Sequence, residues 1–264
     1  MADITRYSEF ALLFGSTSIP IEPRSLEAGN DPRLDDLMSA GSLNVQLRQV
    51  VGKRTFLKAT LLDPSLVTAW AKVGSGNTIT GVKGIWRAYE QDGGFGAGYK
   101  SAAIAKGVII PLNLQASVDK KATLDVVCFA IFAAGTGLTI GTDSGTLASV
   151  AKAYYLTSVT FGSGTAITAL KSANVNWQYQ VQDDEQTEPA YFYYDKYTMR
   201  GSVALKDIAA ATAARIEDGA TETVSLLLTD AVTPANTITV SLGSCHLFAN
   251  AKGDECSIEF EKVG

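Results

Sequence analysis

From residue 172 to 182 apolar and polar side chains alternate without interruption. Ala173, Val175, Trp177, Tyr179 and Val181 are set against Ser172, Asn174, Asn176, Gln178, Gln180 and Gln182. A period of two over this length predicts a strand with one face on a core and the other turned to water or to a neighbour. The polar face carries amides and no charge. An acidic stretch, residues 183–189, follows, and residues 190–197 return as an aromatic-rich strand, which predicts a long hairpin with an exposed acidic tip. Further strands are predicted over 43–51, 55–62, 108–116, 123–132, 199–205, 222–229, 237–247 and 256–262. Two short helices are expected: one over about 65–72, where Pro64 suits a first turn, and an alanine-rich one over about 208–217, with Asp207 as its N-cap.

Several of these segments echo one another in order. E-F-A-L-L-F-G-S-T-S-I-P (residues 9–20) is matched by T-S-V-T-F-G-S-G-T-A-I-T (157–168), each ending an apolar run in Phe-Gly-Ser with an Ile shortly after, Ile19 or Ile167. S-L-N-V-Q-L-R-Q-V (42–50) pairs with S-A-N-V-N-W-Q-Y-Q-V (172–181), and K-R-T-F (53–56) with K-Y-T-M (196–199), leading on to Asp63 and Asp207. The helix falls at the same place in both halves. An ordered set of echoes predicts internal duplication. The expected fold is mainly β: two tandem β-sandwich units, residues 1–140 and 150–264, each with a short flanking α-helix. The Gly/Thr-rich stretch 133–147 would be the linker between them or an arm.

The length of 264 residues accommodates two such cores. Twenty-four glycines, with many Thr, Ser and Val, fit turn-rich β structure. A net charge of −5 and no dense Lys/Arg run argue against a protein that grips nucleic acid by counterion release. Cys128, Cys245 and Cys256 have no metal-ligand spacing. Cys245 and Cys256 either face each other across a hairpin turning near Ala251 or, as favoured for a protein made in a cytoplasm, stand as reduced, partly buried thiols. The N-terminus lacks the apolar core of a signal peptide, and the uncharged stretches 126–142 and 153–170 are broken by Gly, Thr and Ser, so no membrane span is expected.

Catalytic furniture is sparse. His246 is the one histidine, and on a strand it points away from its neighbour Cys245. G-G-F-G-A-G (93–98) resembles a phosphate-binding loop but lacks the strand, helix and lysine-serine pair that such a loop needs. The loop around it, with Trp86, Tyr89, Phe95 and Tyr99, suits a contact between subunits. The acidic pairs Asp35-Asp36 and Asp183-Asp184-Glu185 lack the alternating spacing of a calcium loop. No enzyme, cofactor or metal site is expected. The aromatic run from Tyr191 to Tyr194 fits either a subunit interface or a stacking platform for sugars, and the interface is favoured.

The stretch Y-L-T-S-V-T-F-G-S-G-T-A-I-T-A-L-K-S-A-N-V-N-W-Q-Y-Q-V-Q-D-D-E (155–185) resembles the opening of tail tube (major tail) proteins of long-tailed bacteriophages, where a strand, a short turn, a long strand and a protruding hairpin begin the unit. The resemblance implies a virion protein, assembled in the host cytoplasm, whose rings have sixfold or pseudo-sixfold symmetry and stack into a tube for passage of the genome. With two units per chain it implies a trimeric, pseudo-hexameric ring. Its partners would be further copies of itself and other tail proteins: the tape measure, the tail tip and the terminator. DNA would pass without specific binding. Asn174, Asn176, Gln178, Gln180 and Gln182 of the second unit, with Ser42, Asn44 and Gln46 of the first, are the candidates for the lumen, the alternative being plain outer surface. Asp183, Asp184, Glu185, Glu188, Trp86, Phe95, Tyr191 and Tyr193 are the candidates for inter-subunit contact. A tail-tip hub or adaptor ring is the nearest alternative. A carbohydrate-binding β-sandwich module is the alternative of a different class.

Overall fold

The structure, a computed structural model, describes residues 7–15, 17–37, 47–67, 78–89, 95–131, 137–143, 152–183, 192–206, 221–252 and 255–263. Its strands are β1 (Tyr7–Phe14), β2 (Thr17–Pro20), β3 (Glu27–Leu37), β4 (Leu47–Leu61), β5 (Thr78–Tyr89), β6 (Phe95–Ser117), β7 (Thr123–Ala130), β8 (Thr139–Asp143), β9 (Tyr154–Phe161), β10 (Leu170–Asp183), β11 (Phe192–Leu205), β12 (Thr221–Asp230), β13 (Thr237–Lys252) and β14 (Glu255–Lys262). All 14 belong to one hydrogen-bonded sheet, and every pairing is antiparallel. The protein is mainly β, as its alternating pattern predicts.

The long strand β6 is the crossroads. Its first part pairs with β5 and β8, Gly107 to Gln115 pairs with β7, and Asn113 to Ser117 pairs with β10. From there the sheet continues through β11, β14, β13, β12 and β9 on one side; on the other, β5 leads to β1 and β2, and β7 to β4 and β3. Inward residues of both halves, among them Leu12, Leu61, Leu114, Leu124, Phe161, Val175, Trp177, Val203, Leu226 and Phe260, form one apolar cluster. Removal of that apolar area from water is what holds the sheet in this shape.

Local pattern and cross-strand context disagree at several places. The strands expected over 43–51 and 55–62 are one strand, β4, running through Gly52-Lys53-Arg54. Its partner β3 occupies a segment that reads as a charged loop, because Glu27–Leu37 shows no alternation. The register explains why it is a strand: Glu27 lies opposite Lys58 and Asp31 opposite Arg54, so acidic and basic residues face each other across the pair. Trp86 to Tyr89 and Phe95 to Tyr99, expected in a loop, lie in β5 and β6. Part of the Gly/Thr-rich stretch, Thr139–Asp143, is a strand laid along β6. The helix expected from Ser65 is described as a 3-10 turn, Pro64–Leu66, after Asp63, whose carboxylate accepts the Ser65 N–H at 3.0 Å; residues 68–77 and the second expected helix, 208–217, lie outside the described residues.

The three cysteines are free and buried. Cys245 and Cys256 do share a hairpin, β13–β14, but its register sets Cys245 opposite Lys262 and Cys256 opposite Ala251. Burial pushes the Cys245 thiol up to about 11, against a lowering by Lys262.

Two turns and one carboxylate give direct tests of the fold. Gly15 and Gly162, which close β1 and β9, both have φ +59, a left-handed conformation that costs an L-residue about 1–2 kcal/mol. Alanine at either position should therefore lower stability by about that amount in chemical denaturation. The two losses should be similar, since the new Cβ at Gly15 meets nothing and that at Gly162 meets only the end of the flexible Glu222 side chain. Asp230 accepts the N–H groups of Ala153 and Val232, each at 3.1 Å, and these bonds, led by that from Ala153, hold its carboxyl below its ordinary value. Its contribution is present above the unfolded carboxylate range and lost as pH falls through the folded value. Asp230→Asn should lower the unfolding temperature at neutral pH and flatten its dependence on acid.

Candidate functional site: a polar sheet face

The alternation of β10 fixes what each side of the sheet offers. Ala173, Val175 and Trp177 are buried, while Asn176, Gln178 and Gln180 are exposed and Asn174 half-buried. Because strand neighbours share a face with the residues directly opposite, the register extends this polar side across the sheet. Thr60, Asp125, Asn113, Asn176, Arg200, Glu261, His246 and Thr221 are successive cross-strand partners, one from each of β4, β7, β6, β10, β11, β14, β13 and β12. Every member is polar. A parallel row runs Thr123, Gln115, Asn174, Ser202, Glu259 and Phe248.

The face is tied together laterally. The Thr60 hydroxyl donates to Asp125 Oδ1 at 2.6 Å, Arg200 Nη2 donates to Glu261 Oε1 at 3.0 Å, and Thr221 Oγ1 and His246 Nδ1 lie 3.0 Å apart. The amides of β10 are thus not on an uncharged surface. They sit between strands whose charges alternate in sign, and the closest pair, Arg200–Glu261, is satisfied within the face. With side chains 61% and 37% exposed, that pair contributes little to stability, about 0–1 kcal/mol. It offsets charge within the pair alone: with Asp125 and Glu259 the two rows hold three carboxylates to one cation. His246 takes its place in this row as an exposed residue, and Cys245 beside it is buried, on the opposite face. Among the described residues no group of His, Cys, Asp and Glu has the arrangement to hold a metal ion.

Asn174, Asn176, Gln178 and Gln180 come together on this face as expected, and Gln182 continues the same strand. Ser42, Asn44 and Gln46 lie outside the described residues. So do Asp184, Glu185, Glu188 and Tyr191, while Asp183, Phe95 and Tyr193 fall in β10, β6 and β11 respectively. Trp86 is half-buried and packs against the core of its own chain. The residues that local reading missed are Asn113, Gln115 and Arg200, together with the threonine and carboxylate partners. The alternation Asn113, Leu114, Gln115, Ala116 carries the same signal as β10 in miniature, over too few residues to stand out.

A shallow depression lies beside this face at the β6–β10 junction. It is rimmed by Lys120, Lys121, Lys171 and Lys206 together with Glu22 and Asp119, so its charge is mixed. No helix is long and apolar enough among the described residues to cross a membrane. The chain matches no protein-family model and no curated protein.

If the two sides of β10 serve different ends, substitutions on them should separate. Trp177→Ala empties a fully buried site and should cost about 3–5 kcal/mol in denaturant unfolding. Asn176→Ala, on the exposed side, should change stability by no more than about 0.5 kcal/mol.

Proposed function

We propose that this chain is a structural virion protein made of two tandem tube-like β-sandwich units, residues 1–140 and 150–264. Three copies close into a pseudo-hexameric ring, and rings stack into the tail tube of a long-tailed bacteriophage. The observation that carries the proposal is that strand pairing runs in the same order in both halves. In the first, β2, β1, β5, β6, β7, β4 and β3 are successive neighbours; in the second, an isolated bridge at Ile167 takes the place of β2, and β9, β12, β13, β14, β11 and β10 follow.

The correspondence extends to single bonds. Gly15 N–H donates to Gly81 O and Gly162 N–H to Thr223 O, and both donors are left-handed glycines with the same φ. Leu62 N–H donates to Pro20 O and Lys206 N–H to Ala169 O; Ile131 N–H donates to Lys106 O and Val263 N–H to Ser244 O. Ile19 pairs with Leu12 as Ile167 pairs with Val159. A shared architecture down to equivalent turns and closing bonds is what duplication of one unit leaves behind, and random pairing of 14 strands would not produce it.

The polar face supports the conduit role. A channel for a polyanion has to stay wet and must not hold its cargo, and a face of amides, hydroxyls and more carboxylates than cations meets both needs. Tape measure, tail tip and terminator proteins would be its partners at the ends and in the lumen of the tube.

Electron microscopy of the purified protein, with its mass in solution, tests the proposal. Annular particles or tubes built from three chains per ring are expected. Six chains per ring would remove the two-unit reading, and a strict monomer at high concentration would remove the tube.

A further inference from the structure

The junction between the halves is itself a record of how one unit receives the next. At β6–β10, Asn113 lies opposite Asn176, Leu114 opposite Val175 and Gln115 opposite Asn174. Each of these positions has a counterpart in the other half, traceable through the registers. Leu61 and Leu205 are equivalent through the closing bonds of the residues that follow them, so Lys58, Leu57 and Phe56 correspond to Ser202, Gly201 and Arg200. Their partners on the next strand then correspond as well: Glu27 to Asn174, Ala28 to Val175 and Gly29 to Asn176. On the other side, the β6–β7 and β13–β14 registers make Asn250, Ala251 and Lys252 the counterparts of Asn113, Leu114 and Gln115.

Both counterpart edges are open among the described residues. β3 pairs with β4 alone, and Leu247 to Lys252 of β13 pair with β14 alone. An open strand edge with unpaired backbone groups is a template for another strand. The edge of β10 that β6 accepts inside the chain is the same kind of edge that β3 presents outside it.

We infer that β3 of one copy adds antiparallel to the end of β13 of a second copy, in the register of the internal junction: Gly29 opposite Asn250, Ala28 opposite Ala251, and Glu27 opposite Lys252. Two observations independent of the pairing order favour a second copy as the occupant. The register sets an acidic residue against a basic one, where the internal junction has the neutral pair Asn174 and Gln115. And Phe248, 54% exposed, is the counterpart of Ile110, which is 1% exposed and lines a depression together with Tyr179 and Gln180 of β10. The counterparts of Tyr179 and Gln180 are Pro32 and Arg33 of β3. A second copy docked in this register therefore brings β3 over Phe248 and covers an aromatic side chain that the isolated chain leaves in water. The contact is head to tail, using a different edge on each side, so it repeats and closes into a ring if the rotation allows.

This contact rests on the two-unit, self-assembling reading above, and the test separates the two. Glu27→Cys combined with Lys252→Cys, treated with a short thiol cross-linker, should give covalent dimers and trimers and nothing larger; the native thiols are buried, and the unsubstituted protein is the background control. Phe248→Asp should weaken assembly about tenfold or more while leaving the unfolding temperature of the isolated chain unchanged. Glu27→Lys should weaken it too, and adding Lys252→Glu should restore it. Rings that form normally without cross-linking, or with Phe248→Asp assembling like the unsubstituted protein, would overturn this register and leave the ring standing. An unsubstituted protein that never assembles would overturn both.

Discussion

The hydrogen bonds between Asn113–Ser117 of β6 and Ser172–Asn176 of β10 are the constraint on which the rest of the molecule depends. Without them each half would end in an exposed edge, with a row of backbone donors and acceptors facing only water. With them the registers of both halves are locked together, and each polar residue of β10 has a defined neighbour on either side. A slip of one residue by either strand would turn its own apolar residue, Leu114 or Val175, outward and its amides inward. Burial of Leu114 and Val175 at full depth penalises that slip, so the apolar core sets the register and the register assembles the polar face.

That division of labour explains why the two sides of the sheet differ so sharply in kind. The inner side is closely packed, and small changes of volume are felt there. Gly201, for example, lies under the ring of Phe260 and against the carbonyl oxygen of Asn174, with room for no Cβ. The outer side carries lateral side-chain contacts such as Thr60–Asp125 and the exposed pair Arg200–Glu261. Its composition is free to answer to something other than folding.

What the sequence made legible was what alternation encodes. β10, β12 and the β13–β14 hairpin read directly because buried and exposed residues alternate along most of what is described of them. The Phe-Gly turns at Gly15 and Gly162 stand out as echoes of one another, and both take the same left-handed conformation. β3 was not legible. Its residues form a strand through their partners in β4, and opposite charges across a pair leave no periodic trace in either strand alone. The polar face was half legible for a similar reason: its amides lie consecutively on β10, but Asp125, Arg200, Glu261 and His246 join them only through the pairing of strands distant in sequence.

If the two halves are two units of one ring, as proposed, joining them in one chain changes what each contact has to supply. The β6–β10 contact forms during folding, where the connecting chain holds its two edges at high local concentration, so it does not bear the loss of translational and rotational freedom that separate molecules incur. It can therefore be made from neutral side chains, Leu114 and Val175 on one face and amides on the other, with no charged pair. The proposed contact between chains has no such help and would have to supply its own affinity, which is where Glu27, Lys252 and the exposed Phe248 would act. Under that proposal one contact is made whenever the chain folds, and the other forms only when enough chain has accumulated.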